Sequence, residues 1–215
     1  MHIYDVTVPI RPGMATYGGT EPGPRLHFHS LISKGDSANV SELSLGSHTG
    51  THVDSPDHFL DNKITVEQMP LDAMVGQAWV ADFDVTSHIT IADLEAANIP
   101  AGTTRLLART PNGRFWDDDT FHPEFIGFAD DAGDWLVERG MVLVGIDYMS
   151  IERYHSPTHA VHHALLTANV VIVEGLDLRT VSQGEYYMVC APIPVVGGDG
   201  APARVYLIED GAPTI

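Results

Sequence analysis

Cysteine and positive charge are scarce in this chain, and each scarcity excludes a class of protein. Cys190 is the single cysteine among 215 residues, so no disulfide can form within the chain. Lysine and arginine number 11 against 29 acidic residues, which gives a formal net charge of −18. A surface of that sign repels phosphate backbones and anionic lipid. We therefore expect neither nucleic acid nor a membrane as a partner.

Long apolar runs are missing as well. No segment approaches the ~20 consecutive apolar residues that are needed to cross a bilayer. The opening residues, MHIYDVTVPI, lack the basic start and apolar stretch of a signal peptide, which predicts a cytoplasmic protein. Hydrophobic residues make up 44% of the chain and charged residues 19%, as in ordinary folded domains. A single compact domain over residues 1–215 is the prediction.

Short β-rich segments bounded by glycine and proline alternate with a few helical segments, which predicts an α/β or α+β domain. The predicted strands cover residues 1–8, 25–33, 39–45, 78–83, 105–109, 141–146, 170–173, 186–191 and 203–209. The predicted helices cover residues 91–98, with Thr90 as N-cap, then 129–139 and 158–169. Residues 141–146 and 170–173 are continuously apolar, as buried central strands are.

The densest chemistry lies in residues 47–59, SHTGTHVDSPDHF, where three histidines and two aspartates fall within eleven residues. Imidazole suits borderline cations such as zinc or manganese, and carboxylate adds charge and can bridge two ions. If the segment ends extended, His52 and Asp54 project from the same side, and a bent loop must bring His48 to them. A polar loop whose histidines cap turns is the alternative, but several residues of ligand type favour a metal site.

Signals of other chemistry are weak. No Gly-x-Ser-x-Gly elbow occurs, and Ser150 and Ser182 have no motif around them, which argues against a serine hydrolase. The glycine-rich GGDGAP at residues 197–202 lacks the Lys-Ser/Thr of a phosphate-binding loop and predicts a turn. Metal-assisted chemistry is therefore the better interpretation.

The string HTGTHVDSPDHF resembles the His-x-Gly-Thr-His-x-Asp-x-Pro-x-His-Phe signature of the cyclase-like metal-dependent hydrolases, which include bacterial kynurenine formamidase and isatin hydrolase. Later segments resemble the family too: VGID at 144–147, HHALL at 162–166, VIVEGL at 171–176 and GGDGAPAR at 197–204. The resemblance covers nearly the whole chain. It implies an α/β domain of the swivelling β/β/α type, with a mixed sheet curled into a barrel-like core flanked by helices. It also implies a homodimer or higher oligomer.

The resemblance implies that His48, His52 and Asp54 bind one divalent ion, with zinc the first expectation and manganese the second. Asp54 would bridge to a second ion, if two are present, completed by His162 and Glu174. His58 would be the catalytic histidine beside the metal-bound water.

The ligand histidine in the second half of the chain can be identified only from the family pattern. Residues 159 and 163 share a helix face, and so do residues 159 and 162, so spacing alone leaves the choice open. The family pattern places two residues between its ligand and the Leu-Leu pair, which selects His162, with His163 as the alternative.

The resemblance implies a small-molecule substrate, an aryl formamide resembling N-formylkynurenine, whose C–N bond is cleaved by metal-activated water. A cyclic amide of the isatin type or a lactone is the alternative, and a metal-stabilised binding protein is the non-enzymatic alternative. The expected aromatic contacts to substrate are Tyr17, Phe59 and Trp116. Residues 17–20 lack the proline and aspartate that the family often has there, and residues 112–128 do not match the formamidase.

Overall fold

The computed structural model describes residues 1–209, and residues 210–215 of the predicted domain lie outside the described part. The strands are β1 His2–Asp5, β2 Arg25–Ser30, β3 Val40–Ser44, β4 His52–Asp54, β5 Val75–Asp82, β6 His88–Ile89, β7 Arg105–Arg109, β8 Gly127–Phe128, β9 Leu143–Ile146, β10 Val171–Glu174, β11 Gly184–Pro192 and β12 Gly200–Glu209. The helices are α1 Leu71–Met74, α2 Ile91–Ala96, α3 Ala132–Glu138 and α4 Ala160–Thr167. Within residues 1–209 no helix is long and apolar enough to span a membrane.

Seven strands close into a mixed barrel in the order β12, β11, β5, β7, β9, β10, β4, because β4 pairs with both β10 and β12. The run from β5 through β7 and β9 to β10 is parallel, and the remaining barrel pairs are antiparallel. β1 adds to β12 as an eighth strand. The predicted α/β fold with a barrel-like core is therefore confirmed.

Alternating side chains divide the core into two parts. Each barrel strand contributes at least one residue to the first part, the barrel interior, for example Val53, Val80, Leu107, Leu143, Val173, Met188 and Val205. The intervening residues of the parallel strands, such as Leu106, Val144 and Ile172, join a second cluster with the buried residues of the helices α2 to α4. Burial on both faces explains why β9 and β10 have continuously apolar sequences.

Several predicted boundaries differ from the structure for identifiable reasons. β1 ends at Asp5 rather than at residue 8, because the following residues pair with the segment after β10: the Asp177 N–H donates to the Val6 carbonyl, and Thr7 forms a bridge to Leu176. α4 begins at Ala160 because His159 before it has a left-handed backbone. The Thr90 cap is confirmed, since its hydroxyl accepts a hydrogen bond from the Asp93 N–H.

Gly175, the residue after β10, lies very close to the backbone of Gly50. Its φ is +71°, and an added Cβ would lie 2.3 Å from the carbonyl oxygen of Gly50. We expect Gly175→Ala to lower the free energy of unfolding by about 3 kcal/mol or more, because overpacking adds to left-handed strain. Chemical denaturation of the metal-free proteins measures this change.

Gly102→Ala is the matched control for that variant. Gly102 has a φ of +85°, but nothing lies within 4 Å of its added Cβ, so only the left-handed strain applies, about 1 kcal/mol. Equal losses in the two variants would contradict the close contact at Gly175.

Candidate metal centre

Two neighbouring strands place three polar side chains on the outer face of the barrel. Val53 of β4 points into the barrel, so His52 and Asp54 on either side of it point outward. The antiparallel register sets Glu174 of β10 directly opposite His52, which puts its carboxylate on that same face. All three side chains are almost completely buried. The extended end predicted for this segment is therefore present as β4.

His48 reaches the same point from the turn that precedes β4. Gly50 turns the chain with a φ of +67°. Gly200 lies opposite Asp54 in β12, and a Cβ there would come within 2.7 Å of His48 Cε1, so the missing side chain makes room for the imidazole. His48 Nδ1 then lies 2.9 Å from Asp54 Oδ1.

α4 supplies the remaining imidazole. His162 is buried, and its Nε2 lies 3.3 Å from Glu174 Oε1 and 3.7 Å from Asp54 Oδ2. The next residue, His163, is exposed. The helix therefore directs His162 toward the cluster, as the family pattern selects. All five residues proposed as ligands converge on one place.

The donor atoms fit a divalent cation. His52 Nδ1 lies 2.9 Å from the carbonyl oxygen of Gly50, which can only accept, so Nδ1 carries a hydrogen and Nε2 is the nitrogen left to bind an ion. That Nε2 faces Asp54 Oδ1 and Glu174 Oε2, each at 3.4 Å. Among the described residues, His52 Nε2 and Asp54 Oδ2 are buried without a hydrogen-bond partner. Electron-pair donors that face one another in a buried site need a cation between them.

The charges of the cluster favour the same conclusion. Burial by itself lowers the pKa of His52, but the neighbouring carboxylates of Asp54 and Glu174 outweigh it and raise the pKa to about 10. The pKa of His162 is likewise raised to about 10 against burial, through Glu152 and Glu174. Burial raises the pKa of Asp54, yet its hydrogen bond to His48 and the nearby imidazole of His52 hold it well below its usual range. The buried carboxylates are therefore stable in their ionised form only with positive charge beside them.

His58 stands next to the cluster on the 3₁₀ turn Pro56–His58. Its ring stacks on that of His48 with centroids 4.0 Å apart, and burial lowers its pKa. A half-buried imidazole with a lowered pKa is suited to accepting a proton near neutral pH.

A cavity of about 210 Å³ opens onto these residues. Tyr17, Phe59, Met149 and His159 contribute to its wall together with His58 and the proposed ligands other than Asp54. Phe59 stacks on His162 at a centroid distance of 4.3 Å. Tyr17 and Phe59 therefore lie where a substrate contact was expected.

Known proteins are similar to this chain both in sequence and in fold. A sequence profile of the Cyclase family matches residues 4–153. Cyclase-like protein 2 of Arabidopsis thaliana is 35% identical, covering 96% of this chain and 79% of the plant protein. The kynurenine formamidase of Erythrobacter litoralis (strain HTCC2594) is 30% identical over 96% of this chain and 94% of its own. A solved "potential metal-dependent hydrolase with cyclase activity" is 38% identical, with a TM-score of 0.82 and 96% coverage of both chains.

The chain belongs to the Cyclase family. Its relatives and its His/Asp/Glu cluster together support a metal-dependent hydrolase of this family. The match covers 94% of the formamidase, so the similarity is not confined to one motif.

Two acidic residues that sequence reasoning missed support the histidines of this Cyclase-family site. Glu152 Oε1 accepts a hydrogen bond from His162 Nδ1 at 2.8 Å, which turns Nε2 toward the cluster. Asp199 Oδ2 lies 3.0 Å from His48 Nε2 and 3.7 Å from His58 Nδ1. The only signal for Asp199 was its place in GGDG, which predicted a turn.

Trp116 is a correction, because its side chain does not line the cavity at the metal centre. Its indole N–H donates to the carbonyl oxygens of Asp147 and Leu176, both at 3.1 Å, and its ring packs on Tyr148. Trp116 packs with the neighbouring aromatic residues of segment 112–128 in a cluster around Phe115 and Phe125, which Tyr17 also contacts. Trp116 is therefore a packing residue, and its expected contact with substrate is withdrawn.

Proposed function

We propose that this protein is a metal-dependent hydrolase that cleaves the C–N bond of an aryl formamide resembling N-formylkynurenine. The observation that carries the proposal is the convergence of five donor residues on one buried point, with an unliganded imidazole beside them: His48, His52, Asp54, His162 and Glu174, next to His58. The similarity to a kynurenine formamidase supports the choice of substrate class.

One or two divalent ions, zinc or manganese, fit this donor set, because imidazole nitrogen and carboxylate oxygen suit both metals. The two oxygens of Asp54 face different imidazoles, Oδ1 toward His48 and His52 and Oδ2 toward His162, which supports a bridging role. When bound, such an ion lowers the pKa of water to about 7 and polarises the substrate carbonyl.

In this proposal the side chains of the protein transfer the proton and orient the substrate. His58 accepts a proton from the attacking water and returns it to the departing nitrogen, as a neutral imidazole can. Asp199 holds His48 and lies close enough to His58 to orient its ring. Tyr17 and Phe59 offer aromatic surface to the aryl group.

The homodimer implied by the resemblance stays a prediction, and the β2–β3 hairpin is the surface that supports it. Leu26, Phe28 and Leu43 share one face of the hairpin and are each about half exposed. An isolated two-stranded hairpin is marginally stable in water, so a second copy of this chain would stabilise it. The hairpin, residues 25–44, carries two basic and two acidic side chains, whereas the whole chain is strongly acidic. The cytoplasmic location is likewise still a prediction.

A substrate panel on the metal-reconstituted full chain tests the proposed function. We expect release of formate from formanilide and N-formylkynurenine, with isatin and a simple aryl lactone turned over more slowly. Hydrolysis of isatin or the lactone alone would replace the formamidase assignment by the cyclic-substrate alternative. Bound metal without turnover of any of the four would contradict the hydrolase and favour a binding protein.

A further inference from the structure

His159 is a cavity-lining imidazole that the proposed ligand set does not use. It immediately precedes α4 with φ 47° and ψ 39°, and its side chain does not cap the helix. A left-handed backbone costs a residue other than glycine about 1–3 kcal/mol, and strain of this kind clusters at functional sites. Asparagine or glycine would occupy the position at lower cost. His155 in the same loop has a left-handed backbone as well, so the case for His159 depends on what its imidazole contacts.

A buried carboxylate fixes the orientation of that imidazole. His159 Nδ1 lies 2.7 Å from Oε1 of Glu152, the same oxygen that accepts from His162 Nδ1. A second oxygen of Glu152 accepts from the Val161 N–H, so the carboxylate is held firmly. The two shared bonds link His159 to the metal centre through one atom.

The tautomer of His159 follows from this contact. An ionised carboxylate only accepts, so Nδ1 carries the hydrogen and Nε2 keeps its lone pair. Within residues 1–209, Nε2 makes no hydrogen bond to the protein. The side chain is 46% exposed and contributes to the cavity wall. His159 therefore presents a fixed hydrogen-bond acceptor to whatever occupies the cavity.

The Phe59 ring lies near both His159 and His58 in the cavity wall. The Phe59 ring lies 4.5 Å from that of His58 and 5.0 Å from that of His159, measured between centroids. The two cavity-lining imidazoles outside the proposed ligand set thus border one aromatic ring. A planar aryl amide packed against Phe59 would lie near both of them.

We propose that His159 Nε2 accepts a hydrogen bond from an N–H group of the bound substrate, so that His159 selects N–H-bearing amides over esters and lactones. The inference rests on the proposed function in taking an aryl amide as the occupant. A site that pairs a substrate N–H discriminates against the analogue without it, because that analogue, once bound, covers the acceptor from water and leaves it unpaired. Glu152 acts as the positioning residue of this pair.

His159→Asn isolates the proposed contact. The asparagine amide nitrogen takes the place of Nδ1, so it still donates to Glu152, but no atom remains at the position of Nε2. Asparagine also tolerates the left-handed backbone, so we expect an unchanged or higher Tm and unchanged metal content. We expect KM for formanilide to rise about tenfold, the value of one hydrogen bond, while kcat/KM for phenyl formate, which has no N–H, stays constant or rises because no acceptor is left unpaired.

His155→Asn is the matched control. His155 lies in the same loop with a φ of +59°, is exposed, and stacks on Tyr154 rather than on Phe59. We expect it to leave KM for both substrates unchanged. If His159→Asn leaves formanilide unaffected, or weakens both substrates equally, His159 serves only to pair Glu152 and the proposal is overturned.

A binding measurement separates this proposal from the proposed function. Ligand-observed NMR reports the affinity of metal-loaded protein for acetanilide and for phenyl acetate without requiring turnover. Weaker binding of acetanilide alone in His159→Asn supports the contact, even if no substrate in the panel is hydrolysed. Formamide hydrolysis by the wild type together with identical acetanilide binding by both proteins would retain the hydrolase and reject the contact.

Discussion

Replacing Asp54 by asparagine is expected to weaken divalent metal binding by more than about a hundredfold. Asp54 is completely buried, and its oxygens face three of the four other proposed ligands. Removing an outer partner of a metal ligand costs about 10–100-fold in affinity, so removing a central ligand should cost more. Elemental analysis of protein dialysed against limiting zinc, and then against manganese, measures the stoichiometry and its loss.

Asp57→Asn provides the control within the same motif. The Asp57 carboxylate accepts a hydrogen bond from the Lys63 N–H at 3.1 Å and belongs to none of the acidic and histidine groups that could hold an ion among the described residues. We expect full metal content in this variant. Wild-type occupancy in Asp54→Asn would remove Asp54 from the ligand set, and with it the proposed bridge.

The ligands within the motif at residues 48–54 could be predicted because they are close together in the sequence. His52 and Asp54 are two residues apart, and any extended backbone puts them on one side. The strand that holds them is only three residues long, so no propensity signal marks β4 itself. Its ends are fixed by pairing with β10 and β12, which are distant in sequence. The ligand types were therefore visible in the motif, whereas the closure of the barrel around them was not.

The supporting residues depend on contacts that sequence spacing does not encode. Asp199 meets His48 across 151 residues, because β12 pairs with β4 and brings residues 199 and 200 beside the motif. Glu152 meets His162 only because α4 begins after the strained His159. Trp116 failed as a predicted contact for a similar reason: an aromatic residue that packs and one that lines a cavity have the same sequence signature. The carbonyl partners of its indole N–H decide between them.

Replacing His58 by alanine is expected to leave metal content unchanged and to lower kcat for an aryl formamide by about 10²–10⁴-fold. His58 stacks on His48 but is not one of the five proposed ligands, so the donor set survives its removal. The loss corresponds to a positioned general acid–base group. Elemental analysis and formate release, measured on the same preparation, separate the two effects.

His163→Ala is the control for that variant, since the His163 side chain is exposed on α4. It should keep both metal and turnover, and a loss of metal there would reopen the choice between His162 and His163. Normal turnover in His58→Ala would remove His58 from the mechanism. The proton would then have to pass through another base, and among residues 1–209 His159 is the other imidazole that lines the cavity without belonging to the proposed ligand set. Because His159→Asn tests that imidazole separately, the two variants together determine which imidazole moves the proton and which binds the amide.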